Sequence, residues 1–263
     1  MIKFRKILQL LTGGGFVFSG VFNLAAEEKV VTSIEIPASK TVYTMKYNSQ
    51  GKLSELIFQK MNTPQVGSGH KITYPAPNTI VCETGGINFQ KDQFDRFFTD
   101  KITINPKSGD FKVVNMSHLG SNTGESILYV TKEGVREDNS RLISLKWFDN
   151  SISEIDWDGD IYEFKYSDKP YSVSQYGSWD WLMFIIDYIV PNDYLEYWYV
   201  GHPFAPFKRY PSEIIYKTDN EVSKYKIDYL FMANGNLTVD YICEKNGETQ
   251  FHSYITVNFS SLR

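Results

Sequence analysis

Cysteine, histidine and any surplus of positive charge are what this chain lacks. Only Cys82 and Cys243 occur in 263 residues, too few for a disulfide framework and without the paired spacing of a zinc site. A single bridge between them stays open, because separation in sequence says nothing about distance in space. Cys243, however, shares the apolar side of its strand with Leu237, Val239 and Tyr241, which argues for a buried free thiol. The four histidines, His70, His118, His202 and His252, stand far apart, so no metal is expected. Lys and Arg number 27 against 31 Asp and Glu, a formal net charge of -4 spread along the chain. That balance excludes the basic face that a nucleic acid requires.

Enzyme signatures are missing too. Ser117-His118, Gly177-Ser178 and Ser212-Glu213 contain nucleophile types, but none lies in a Gly-x-Ser-x-Gly elbow. Gly67-Ser68-Gly69 has neither the following Lys nor the strand-to-helix context of a phosphate cradle. Glu154, Asp156, Asp158 and Asp160 form the densest acidic group, yet their spacing is not that of a calcium loop, and a solvated hairpin tip is the expectation. No catalytic residue and no cofactor is therefore assigned. A hydrolase pairing carboxylates from separate strands, Glu154 or Asp156 among them, is the one enzymatic alternative.

What the chain does have is turns and rings. Asp158-Gly159, Asp219-Asn220, Asn234-Gly235 and Asn246-Gly247 each separate short runs that alternate apolar with polar residues. Such dipeptides supply the positive φ angles of two-residue type I′ turns. Tyr225, Ile227, Tyr229 and Phe231 point one way while Lys224, Lys226 and Asp228 point the other, and Phe251, Ile255, Val257 and Phe259 repeat the pattern against His252, Thr256 and Asn258. Strands are expected at 30–36, 42–47, 56–58, 79–83, 102–105, 111–115, 127–131, 142–148, 152–157 and 161–166. Phe94, Phe97 and Phe98 can extend the strand before them. Residues 61–77 read as loop with a short strand at 72–74, because Pro and Gly break the pattern there. The spacing predicts an all-β antiparallel meander over residues 27–263, a single domain that is either a sandwich or barrel-like.

Two segments depart from the meander. Lys3, Arg5 and Lys6 followed by the uncharged run Ile7 to Leu24 and by Ala25-Ala26 read as a signal peptide over residues 1–26, with no Cys for lipid attachment, so a secreted, periplasmic or extracellular protein is expected. From Trp179 to Tyr199 the chain is apolar on nearly every side, with a break at Pro191-Asn192-Asp193. Two short helices fit it, the first buried against a sheet face or inside a barrel. Its rings are the candidate ligand-binding residues: Trp179, Trp181, Tyr194, Tyr197 and Trp198, which either pack or stack on a glycan or another small ligand.

Trp181-Leu182-Met183-Phe184-Ile185-Ile186-Asp187-Tyr188, the connection Gly201-His202-Pro203, and Tyr210-Pro211-Ser212-Glu213-Ile214 together resemble a family of predicted secreted gut-bacterial proteins of unknown function with a porin-like β-barrel fold. The Tyr-x-x-x-Gly-x-Leu hairpin from Tyr47 to Leu53 is similar to that family as well. The resemblance implies a fold and a location outside the cytoplasm, and it carries over no site residue. It leaves two main functional readings: a secreted, non-catalytic barrel that binds a ligand beside the aromatic insert, or an outer-membrane barrel with its apolar faces turned to lipid. Membrane insertion is the less expected, because four residues follow the last strand's aromatic Phe259 and the apolar insert has no place in a polar lumen.

Overall fold

Sixteen strands close into one barrel in which each strand pairs with its neighbours in sequence and the first pairs with the last. The computed structural model describes residues 29–118, 125–137, 140–171, 181–189 and 207–261. In chain order the strands are β1 Lys29–Ile36, β2 Thr41–Tyr47, β3 Leu53–Lys60, β4 Val66–Ala76, β5 Thr79–Asn88, β6 Gln93–Ile104, β7 Phe111–Ser117 and β8 Glu125–Thr131. They continue with β9 Gly134–Glu137, β10 Ser140–Phe148, β11 Ser151–Trp157, β12 Asp160–Pro170, β13 Arg209–Lys217, β14 Val222–Phe231, β15 Leu237–Lys245 and β16 Glu248–Ser261. All pairings are antiparallel, so no strand edge is left open and every ladder can be satisfied within the sheet. A short 3-10 turn, Pro37–Ser39, joins β1 to β2.

Helix α1, Trp181–Ile189, follows β12 and lies in the lumen. Leu182, Met183, Ile185 and Ile186 are each fully buried, and Trp181, Phe184 and Ile189 nearly so. A helix dry on almost every side must be surrounded, and α1 meets the inner wall in several directions. Phe184 touches Tyr43 on β2, while Trp181 touches Tyr171 after β12, Tyr210 on β13 and Phe259 on β16. The second helix expected after the Pro191 break falls outside the described residues, as do residues 1–26.

Residues paired across an antiparallel ladder share a face, so the register separates inside from outside. Ile34, Tyr43, Leu56, Ile72, Ile102, Val113, Val130, Ile143, Ile155, Phe164, Ile214, Ile227, Val239 and Val257 face inward and join one core with α1. The opposite face mixes charged residues with apolar ones such as Ile57, Val114 and Ile242. Ion pairs bridge neighbouring strands on the outer wall at Lys46–Glu55 (2.7 Å), Arg96–Glu83 (2.8 Å), Lys146–Glu154 (2.7 Å), Lys165–Glu213 (2.6 Å) and Lys226–Glu244 (2.5 Å).

Three inward tyrosines close gaps that β-bulges open in the ladder. Register shifts occur at Val31/Ser33, at Lys46/Tyr47 opposite Leu53, and at Lys146/Trp147 opposite Ile152. A bulge leaves backbone groups without a ladder partner. The hydroxyls of Tyr47, Tyr74 and Tyr166 donate to the carbonyls of Val31 (2.5 Å), Leu53 (2.9 Å) and Ile152 respectively. Burial pushes the Tyr74 pKa up to about 12 and raises those of Tyr47 and Tyr166 further.

Several local expectations change. Residues 66–76 form the long strand β4 rather than a loop with a short strand, and its pattern is hidden because Gly67 and Gly69 take outward positions beside the β3 backbone. A Cβ at Gly69 would stand 2.4 Å from the Leu56 carbonyl oxygen. Phe94, Phe97 and Phe98 begin β6 instead of extending the strand before them. Strand β9, only four residues long, adds a hairpin that the alternation did not reveal. Of the four marked turns, Asp158-Gly159 (φ 52° and 94°) and Asn246-Gly247 (φ 52° and 84°) have two positive angles. Asn234-Gly235 has one, at Gly235, and Asp219-Asn220 has none, forming a wider loop closed by Thr218 N to Glu221 O. Asp149-Asn150 (φ 48° and 57°) makes a two-residue turn with no glycine at all.

Candidate functional site

The inner wall is not uniformly apolar. Along β4 to β7 the inward positions become Ser68, His70, Thr84, Cys82, Asp100 and Asn115, paired in register from strand to strand. His70 Nδ1 lies 2.8 Å from Thr84 Oγ1 and 3.5 Å from Cys82 Sγ. Asn115 Nδ2 donates to Asp100 Oδ1 at 2.6 Å, which satisfies a carboxylate that is only 2% exposed.

Where this polar tract meets α1, a cavity of about 320 Å³ opens between the helix and strands β2 to β5. Tyr43, Leu56, Phe58 and Phe184 form its apolar walls, and Ser68, His70, Thr84 and Asp187 supply its polar groups, with Gly69 beside them. The ring of Tyr43 stands edge-on to both aromatic neighbours, 5.3 Å and 60° from Phe58 and 4.8 Å and 76° from Phe184. Sites for small molecules usually combine largely apolar walls with a few converging polar groups, and this one has that composition.

Its electrostatics follow from burial. The Tyr43 pKa is pushed up to about 12, first by loss of water and then by the neighbouring Tyr188 and Asp187. His70 keeps partial exposure to the cavity, yet desolvation lowers its pKa to about 4, so the imidazole is neutral at pH 7. Nδ1 is shared between a hydroxyl and a thiol, which keeps the ring a hydrogen-bonding group and not a charge.

The residues expected from sequence to bind ligand sit differently. Trp181 is on α1, but only 5% exposed and packed against Tyr171, Tyr210 and Phe259 at the opposite end of the helix from the cavity. Trp179, Tyr194, Tyr197 and Trp198 lie outside the described residues. The helix does reach the cavity, through Phe184 and Asp187. Of the strand residues, Tyr43 and Phe58 are visible in the sequence only as inward members of an alternating pattern; nothing local marks them as a pair.

The other candidates are surface features. Glu154 bonds Lys146 on the outer wall and Asp156 Oδ1 accepts from Gly159 N in the turn. Asp160 faces inward and accepts from the Tyr216 hydroxyl (3.0 Å), so the acidic group is divided between two faces. Cys82 and Cys243 are buried on the inner wall and are not joined in a disulfide. Among the described residues no cluster of three His, Cys, Asp or Glu stands close enough to hold a metal ion. An open depression of about 570 Å³ on the outer wall, lined by Leu230, Thr238, Asp240, His252, Ser253 and Tyr254, is less enclosed than the luminal cavity.

No family model matches the sequence, and no curated protein matches it significantly. Among solved structures the chain is similar to a porin-like protein from Bacteroides uniformis, with 13% identity, 88% of this chain and 96% of that one covered, and a TM-score of 0.49. It is also similar to a porin-like protein from Bacteroides vulgatus, with 11% identity, 88% and 99% covered, and a TM-score of 0.48. No residue of the cavity is carried over from either.

Proposed function

We propose that the protein is a non-catalytic barrel, exported from a bacterial cell and working in water, that takes a small ligand into the cavity beside α1. The observation that carries this reading is the cavity itself, with three aromatic walls and four converging polar groups. Export is supported by the positively charged start, the uncharged run to Leu24 and the Ala25-Ala26 pair, features shared by secreted precursors.

A lumen filled with helix and side chains does not conduct, so the barrel is read as a rigid scaffold that holds a site. The main alternative, a barrel embedded in the outer membrane, needs an apolar outer band. Among its apolar residues the outer wall carries Lys and Glu pairs from β2 round to β15, each costing energy in lipid, and the aqueous reading is favoured. Acid-base catalysis is not favoured either, since Glu154 and Asp156 point away from the cavity.

Tryptophan fluorescence tests the binding reading, because Trp181 shares a nine-residue helix with Phe184 and Asp187. Titration of the purified protein with a panel of glycans and small organic ligands is expected to give a saturable change that Tyr43→Ala abolishes. A flat response to the whole panel removes the reading.

A further inference from the structure

One inward tyrosine differs from those that close the bulges. Tyr229, on β14, is 6% exposed, and its hydroxyl is buried without a hydrogen-bond partner among the described residues. We propose that this hydroxyl marks a second luminal site, which holds a small oxygen guest able both to accept and to donate a hydrogen bond: a water molecule, or the hydroxyl of a small phenol. The site lies beside Tyr210, which touches Trp181 at the other end of α1 from the cavity, and it stands independently of the reading given to that cavity.

Two observations support it. The first is the unsatisfied donor. Tyr47, Tyr74 and Tyr166 stand on the same inner wall, and each donates its hydroxyl proton to a carbonyl. Tyr229 is buried on that wall too but donates to none of the described residues. A buried hydroxyl without a partner destabilises a fold, and ordered internal waters typically bond such groups. Burial holds the Tyr229 phenol well above its ordinary pKa, so the proton stays on the oxygen and the group remains a donor.

The second is what stands around it. Tyr210 and Tyr166 are the ionisable neighbours of Tyr229, and the Tyr210 ring lies 4.5 Å from that of Tyr229 at 49°. The Tyr166 hydroxyl gives its proton to the Ile152 carbonyl, so its remaining capacity is to accept. A guest that only accepts would serve Tyr229 alone, whereas one that also donates serves Tyr229 and a neighbouring hydroxyl oxygen together. Rings enclose these tyrosines: Phe207 against Tyr166, and Tyr171, Trp181 and Phe231 against Tyr210. Such an apolar enclosure suits a guest whose remainder, beyond its hydroxyl, is itself apolar, and phenol is the probe of that kind.

Tyr229→Phe keeps the ring and removes the hydroxyl, and three measurements on it and on the parent protein decide the matter: a high-resolution crystal structure of the parent, urea unfolding of both, and calorimetric titration of both with phenol. A water guest is expected as ordered density within about 3 Å of the Tyr229 hydroxyl oxygen, and Tyr229→Phe then unfolds at a lower urea concentration than the parent. A phenol guest is expected to bind the parent about tenfold more tightly than Tyr229→Phe, the difference made by one neutral hydrogen bond. Without phenol, Tyr229→Phe then unfolds at a higher urea concentration than the parent, because an unsatisfied hydroxyl has been removed. Tyr74→Phe, which loses a bonded hydroxyl, is the control and is expected to lower the midpoint. A parent structure without density at Tyr229, a Tyr229→Phe protein more stable than the parent, and phenol binding that is absent or equal in both overturn the proposal and leave Tyr229 as a packing residue.

Discussion

The tyrosines of the inner wall do two jobs, and hydrogen bonding separates them. Tyr47, Tyr74 and Tyr166 donate to carbonyls left by β-bulges, so replacing any of them with Phe strands a buried acceptor. The expected loss is about 1–3 kcal/mol per site in urea unfolding; a loss near zero would mean that water or another donor reaches the carbonyl. The same groups set an alkaline limit. An unfolded Tyr ionises near pH 10, whereas burial holds Tyr74 at about 12. Stability contributed by its neutral form is therefore present below about pH 10 and lost as pH rises towards 12. His70 acts on the acid side with the opposite sign. Its folded pKa of about 4 lies below the ordinary value of 6.5, so the unfolded chain binds the proton first and stability falls as pH drops from about 6.5 to 4. Unfolding midpoints measured across that window are expected to lose this slope in His70→Gln. At this scale the sequence was partly legible. Inward Tyr and outward Lys in β14 follow from strict alternation, but the partner of a Tyr hydroxyl lies on another strand at a bulge, and bulges leave no local mark. Nor is the cavity visible, since Tyr43, Phe58, His70 and Phe184 come from four elements brought together only by closure of the sheet.

Turns and the helix are decided by different forces. Gly159 has φ 94°, and a Cβ placed there meets nothing within 4 Å. Gly159→Ala therefore isolates backbone strain, and a loss of about 1 kcal/mol is expected. Gly134 is the contrasting case, with φ 144° and the Ile143 carbonyl oxygen 2.0 Å from an added Cβ; Gly134→Ala should cost clearly more, and equal losses would refute the steric explanation. Glycine-marked hairpins are the elements that sequence reveals best, yet Asp149-Asn150 turns without glycine, because Asp and Asn tolerate the left-handed region. Strand β4 shows the reverse, a strand that reads as loop because glycine is needed where it crosses close to β3. For α1 the apolar run signalled burial correctly. Ile185→Ala, at a fully buried position, is expected to cost about 2–5 kcal/mol in the same unfolding assay, since the surrounding wall closes only partly over the cavity left behind.

At the scale of the whole molecule, the distribution of polarity matters more than the strand count. Among the described residues no helix is long and apolar enough to cross a membrane, and for a barrel the decision lies with the outer wall. Many of its charged residues belong to pairs: Glu213 is held between Lys165 and Lys224, which keep its carboxyl below the usual range despite partial burial. Individual surface pairs contribute about 0–1 kcal/mol, so their significance is solvation and not stability. The inner wall, by contrast, is a continuous core with α1 at its centre. The meander and a buried apolar insert were legible in the alternation and the turns, whereas the same spacing fits a sandwich as well as a closed barrel. Which face holds the insert was not, because alternation alone fits a barrel filled within and wet outside as well as one with the faces exchanged. Purification of the chain from residue 27 without detergent tests that assignment most directly. The account predicts a monodisperse protein with a β-rich circular dichroism spectrum in aqueous buffer; a protein that stays aggregated until detergent is added, and partitions with membranes, would contradict it.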